Sequence, residues 1–84
     1  MKVRITGAAA RGFDGLPLVI KVRVLRVFER LASWPAVSGA KAVGGPLAGH
    51  FRLRTGDLRV QFRVESEAVI IERVGHRDGF YNDG

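Results

Sequence analysis

The tightest constraint on this chain is a two-residue alternation in its second half. In residues 50–54, Phe51 and Leu53 alternate with His50, Arg52 and Arg54. After Thr55-Gly56-Asp57 the pattern resumes, with Leu58, Val60, Phe62 and Val64 against Arg59, Gln61 and Arg63. A period of two is the signature of a strand with one buried and one open face. Glycine and aspartate between the two runs are turn formers. Glu65-Ser66-Glu67 reads as a second turn and residues 68–74 as a third strand. The apolar run Val69-Ile70-Ile71 within it predicts a central, well-covered position. Residues 50–74 are therefore expected to form a three-stranded antiparallel meander.

The first half supplies the other layer. Val3 and Ile5 alternate with Lys2, Arg4 and Thr6, a short N-terminal strand ended by Gly7. Residues 8–11 suit a helical turn or two, limited by Gly12 and Gly15. Leu16-Pro17 is a boundary, with proline placed near the first turn of the next helix. Residues 18–33 are rich in β-branched side chains. Yet Ile20, Val24, Val27, Phe28 and Leu31 recur at three- and four-residue steps, while Arg23, Arg26 and Arg30 gather on the other side. That is an amphipathic helix, stopped at Trp34-Pro35. Residues 36–47 are small, Gly-rich and weakly patterned, and read as a surface loop. The predicted order is strand, helical hairpin, meander: a single α+β domain over residues 1–84 with helices on one face of the sheet.

Chemistry is bounded by composition. There is no cysteine, so disulfides and thiolate metal sites are ruled out. The two histidines, His50 and His76, have no His/Asp/Glu cluster at metal-ligand spacing, and no metal or other cofactor is expected. No apolar run approaches the roughly 20 residues of a membrane span, and the N-terminus lacks the apolar core of a signal peptide. A cytoplasmic protein with no membrane partner is expected. Fourteen Lys and Arg against eight Asp and Glu give a formal charge of +6, which favours polyanionic partners.

Alternation also sorts the charge. With Val3, Ile5, Phe51, Leu53, Leu58, Val60, Phe62 and Val64 under the helices, the opposite face carries Arg4, His50, Arg52, Arg54, Arg59, Gln61 and Arg63. Few of these have an evident acidic neighbour in sequence, since Asp57, Glu65 and Glu67 fall in or beside turns. An antiparallel sheet can expose a merely solvated polar face, but like charges on adjacent strands are unfavourable. An anionic ligand would relieve the repulsion. Beyond the third strand, Gly75-His76-Arg77 and Phe80-Tyr81 place an imidazole, a guanidinium and a phenol within six residues. Such groups carry protons and stabilise developing phosphate charge.

The segment LAGHFRLRTGDLRVQFRVESEAVIIERVGHRDGFY resembles the second half of RelE/ParE superfamily toxins, which belong to type II toxin–antitoxin systems. The upstream LPLVIKVRVLRVFERLASWP is similar to that family's second helix, and GGPLAGHFRLR to its loop into the sheet. The resemblance implies a microbial RNase-like fold and metal-independent cleavage of messenger RNA on the ribosome. In that reaction the ribose 2′-hydroxyl attacks the adjacent phosphate. Carried over by position, Arg52 and Arg54 match the basic pair after the loop, and Arg59 the phosphate-binding arginine. Arg77 matches the transition-state arginine and Tyr81 the C-terminal tyrosine, while His76 stands where several members have histidine. Arg59, Arg77, His76 and Tyr81 are thus the expected catalytic set, with Arg52, Arg54, Arg63 and His50 binding RNA. The implied partners are a cognate antitoxin, mRNA and the ribosome; the oligomeric state stays open. Two alternatives stand beside this activity: a ParE-like non-enzymatic inhibitor of DNA gyrase, and a degenerate member that only binds its antitoxin.

Overall fold

The structure, a computed structural model, describes residues 1–43 and 49–76. Seven elements follow one another: β1 (Lys2–Ile5), α1 (Gly7–Asp14), α2 (Leu18–Leu31), β2 (Ala40–Val43), β3 (His50–Thr55), β4 (Leu58–Glu65) and β5 (Ala68–His76). The strands form a single sheet in the order β1-β5-β4-β3-β2. The expected meander is present as β3, β4 and β5, antiparallel in register. β1 joins it parallel to β5, and both helices precede the meander in the chain.

One element differs from the sequence expectation. Residues 40–43, taken from sequence as part of a loop, form β2, which pairs antiparallel with β3. Ala-Lys-Ala-Val has little β propensity of its own. Its strand character comes from the exposed edge that β3 offers.

Thr6 starts α1 by accepting a hydrogen bond from the Ala9 amide at 3.1 Å, as N-cap residues do. The helix runs through Gly12, where the sequence predicted a shorter one. Tertiary contact explains the glycine: a Cβ there would stand 2.9 Å from the carbonyl oxygen of Val74. Hydrogen at this position lets α1 lie directly on β5.

α2 presents Val24, Val27 and Leu31 to the interior, with Ile20 and Phe28 packed at its margin. They meet Leu53, Leu58, Val60, Phe62, Val69, Ile71 and Val74 from the sheet. Trp34 closes this core edge-on to Phe51 and Phe62, with ring centroids at 4.7 Å and 5.3 Å. Ile5, expected beneath the helices, retains 44% of its surface. It lies on the core side by its pairing with Ile71, but β1 is an edge strand. Leu18, Val19, Val22 and Leu25 are also exposed along α2. They share one side of the helix by their spacing.

Candidate nucleic-acid interface

Register places the open-face residues in rows. His50 pairs with Arg63, Arg52 with Gln61, and Arg54 with Arg59 across β3 and β4. Paired residues project to the same side of a sheet. Leu53 and Val60 point into the core, so these three rows point away from it. β2 extends the face: Lys41 pairs with Arg52. Lys41, Arg52 and Arg54, with Gly39, Ala42 and Val43, line a pocket of about 380 Å³. On the far edge, Arg4 pairs with Ile70, and Ile70 in turn stands beside Arg63. The expected cationic face is therefore contiguous across β2, β3 and β4.

Three expected site residues have environments that the sequence did not suggest. Arg59 keeps only 7% of its surface. Its Nη1 donates to the carbonyls of Gly56 at 2.8 Å and Leu58 at 3.1 Å. Arg54 and Arg59 stand directly opposite on adjacent strands, an unfavourable pairing of like charge. Drawing Arg59 back against the hairpin turn lessens it.

Arg63 is the second. Its Nε donates to Glu65 at 3.1 Å and its Nη1 to Glu72 at 3.0 Å. These carboxylates hold its pKa above the ordinary arginine value, Glu65 more than Glu72. It is a cation engaged in ion pairs, not one waiting for an anion.

His76 is the third. It pairs with Leu58, which is fully buried in the core. The same parity that puts Arg59 on the open face puts His76 on the helix side. Its Nε2 lies 4.0 Å from Asp57. His76 therefore does not join the arginine face. Arg77 and Tyr81 lie outside the described residues.

Glu72 is the residue that sequence reasoning missed. β5 carries an irregularity opposite Gln61 and Phe62: Gln61 pairs with Arg73 and Phe62 with Ile71. Glu72 is the extra residue of this bulge, and it turns onto the open face. His50 Nδ1 lies 2.5 Å from Glu72 Oε1, and Gln61 Nε2 lies 3.5 Å from the same oxygen. A signal was available: Val69 and Ile71 are two apart but the next core residue, Val74, follows after three. That break in period is what a bulge produces.

Partial burial alone would raise the pKa of Glu72, but the bonds from His50, Arg63 and Gln61 outweigh it and hold the carboxyl below its ordinary value of 4.5. A carboxyl depressed in the folded state stabilises fully above its unfolded pKa, and that contribution is lost as pH falls through the folded one. Thermal melts should therefore show Glu72→Gln less stable than wild type at pH 7. The two Tm values should converge as pH falls below 4.5. Melting curves separated by the same interval at every pH would exclude this role.

Among the described residues no group of three His, Cys, Asp or Glu could hold a metal ion, and no helix is long and apolar enough to cross a membrane.

Solved structures resemble this chain over nearly its whole length. In the RelBE2 toxin–antitoxin complex from Mycobacterium tuberculosis, the matching chain is 33% identical, with a TM-score of 0.80. The match covers 90% of this chain and 96% of that one. The chain belongs to the RelE/ParE superfamily of toxins. The RelB–RelE complex from Methanococcus jannaschii matches at 20% identity and a TM-score of 0.78, over 95% of this chain and 96% of that one. The isolated Escherichia coli RelE toxin matches at 14% identity and 0.76, over 98% and 92%. At these lower identities the likeness is one of fold, and the RelE-like arrangement of strand, two helices and antiparallel strands is shared. A scan against protein-family models found no match, and neither did a search of the curated proteins.

Proposed function

We propose that this RelE/ParE superfamily member is the toxin of a type II toxin–antitoxin system and a metal-independent, ribosome-dependent endoribonuclease that cuts mRNA in the cytoplasm. The observation that carries the reading is the alignment of Lys41, Arg52 and Arg54 on one open face, continuous with Arg59 at the turn. Guanidinium groups grip phosphate bidentately and stack on bases, and the chain's charge of +6 draws RNA towards them. Arg52, Arg54 and Lys41 would hold the backbone. The expected Arg77 would hold the scissile phosphate while Arg59 braces the turn between β3 and β4, and Tyr81 would assist at a base or a proton.

A cognate antitoxin is the second partner. Exposed Leu18, Val19, Val22 and Leu25 on α2, flanked by exposed Arg23 and Arg26, suit an acidic amphipathic segment that orders on binding. The gyrase-inhibitor alternative finds no supporting feature among the described residues.

The test is expression of wild type and Arg77→Ala in cells without the antitoxin, with mRNA ends mapped. Cleavage at defined codon positions that vanishes in the variant is the expected result. Growth arrest with intact mRNA and a DNA-damage response would move the assignment to gyrase. Unimpaired growth would leave only antitoxin binding.

A further inference from the structure

The pairing of His50 with Glu72 has no part in the proposed function as stated so far. We propose that His50, oriented by Glu72, is the base that takes the proton from the RNA 2′-hydroxyl, with Glu72 a positioning residue acting through it. This rests on the endoribonuclease reading and names the proton acceptor of that site.

The geometry carries the assignment. Glu72 spans two partners, its Oε1 on His50 Nδ1 at 2.5 Å and its Oε2 on Arg63 Nη1 at 3.0 Å. A carboxylate held between an arginine and an imidazole is the acceptor at both contacts, so the His50 proton sits on Nδ1. In the neutral tautomer with this proton on Nδ1, Nε2 carries the lone pair that a base needs. The side chain keeps 22% of its surface, enough to be reached while the carboxylate fixes its orientation. His50 lies two residues from Arg52 along β3 and on the same side. That is roughly 7 Å, at about 3.4 Å per residue, close to one nucleotide's spacing. A phosphate held by Arg52 thus brings its neighbouring ribose to Nε2.

Among the described residues, the other groups at hand are unsuited to the task. Arginine stays protonated at any working pH. Glu72 has its oxygens engaged by three donors. The chain's second imidazole, His76, is on the helix side. Its strand partner is Leu58 and that of His50 is Arg63, five residues apart on β4, or roughly 16 Å along the strand.

The step balances. Nε2 accepts the 2′-hydroxyl proton as the 2′-oxygen bonds to phosphorus. The bond from phosphorus to the 5′-oxygen breaks, and that oxygen takes a proton from water. The products are a 2′,3′-cyclic phosphate and a 5′-hydroxyl, and His50 returns its proton to solvent.

The competing role is structural, a bridge from β3 to β5 across β4. Single-turnover cleavage of mRNA on purified ribosomes separates the two, using wild type, His50→Gln, His50→Ala and Glu72→Gln, each checked for folding by thermal melt. His50→Gln should cleave about 10²–10⁴-fold more slowly while its ribosome binding stays within a few-fold of wild type. Added imidazole should restore part of the rate of His50→Ala. The wild-type rate should fall in acid as one group protonates, and that limb should vanish in His50→Gln. Glu72→Gln should lower kcat more than it raises KM and displace the limb. A folded His50→Gln that cleaves at the wild-type rate, or that keeps the acid limb, overturns the proposal. So does a slow His50→Ala that imidazole does not rescue. If the wild type cleaves and Arg77→Ala does not, while His50→Gln is unaffected, the endoribonuclease reading stands and only the base assignment falls. If the wild type itself leaves mRNA intact, both fall.

Discussion

Phe62→Ala should lower the stability of the folded chain by about 3–5 kcal/mol, the range for removing a buried aromatic ring. Phe62 sits on the central strand β4 with none of its surface exposed. Its ring stacks on Phe51 at 5.5 Å and receives the edge of Trp34 at 5.3 Å. Truncation would leave a cavity walled by two rings that are anchored on other elements and so cannot collapse inward. Domains of this size hold about 0.05–0.15 kcal/mol per residue, which for 84 residues is roughly 4–13 kcal/mol. The loss is thus a large share of the whole, and Tm should drop by well over 10 °C. Phe51→Ala, at a position that is only partly buried, should cost less. Urea or thermal unfolding reads both. A Phe62→Ala protein within about 1 kcal/mol of wild type would mean that the aromatic cluster does not hold the sheet to α2.

The double substitution Arg52→Ala with Arg54→Ala should weaken binding to single-stranded RNA by about 10²-fold, near 1.4 kcal/mol for each arginine. That is somewhat below the usual worth of a hydrogen bond to a charged group, because Arg54 is exposed and Arg52 half-exposed. The salt dependence is the sharper reading. Each lost phosphate contact on single-stranded RNA flattens the slope of log K against log salt by about 0.7, so the pair should flatten it by about 1.4. Arg26→Ala, exposed on α2 on the other side of the molecule, is the control and should change neither quantity. A slope equal in wild type and double variant, or an equal effect at Arg26, would show that RNA is held by diffuse charge and not by this face.

The sheet and its polarity were legible because period two is a local property. Each of Phe51, Leu53, Leu58, Val60 and Phe62 declares its side by its neighbours alone, and the arginines between them follow. The register of Arg54 against Arg59 came with the two-residue turn at Gly56-Asp57, where Gly56 takes a φ of +58°. α2 was legible for a related reason. The three- and four-residue recurrence of Val24, Val27 and Leu31 outweighed a β-branched composition. In each case a buried stripe had to be contiguous, and the sequence shows contiguity directly.

What escaped was every feature that depends on a partner distant in sequence. β2 exists because β3 offers an edge, which Ala-Lys-Ala-Val does not announce. Gly12 is tolerated in α1 because Val74 lies against it, though the residue alone argues for a break. Arg63 is engaged by Glu65 and Glu72, and Glu72 reaches the open face through a bulge.

The sequence by itself determined most of the apolar core, which face of the sheet is cationic, and which family the chain resembles. All three are recorded in spacing and residue type along the chain. Tertiary structure alone decided how that cationic face is tuned. It withdrew Arg59 into the hairpin turn, sent His76 to the helix side, and joined His50 to a carboxylate 22 residues away. An ion pair is set by distance in space, and one residue inserted in a strand reverses the side on which every later side chain lies.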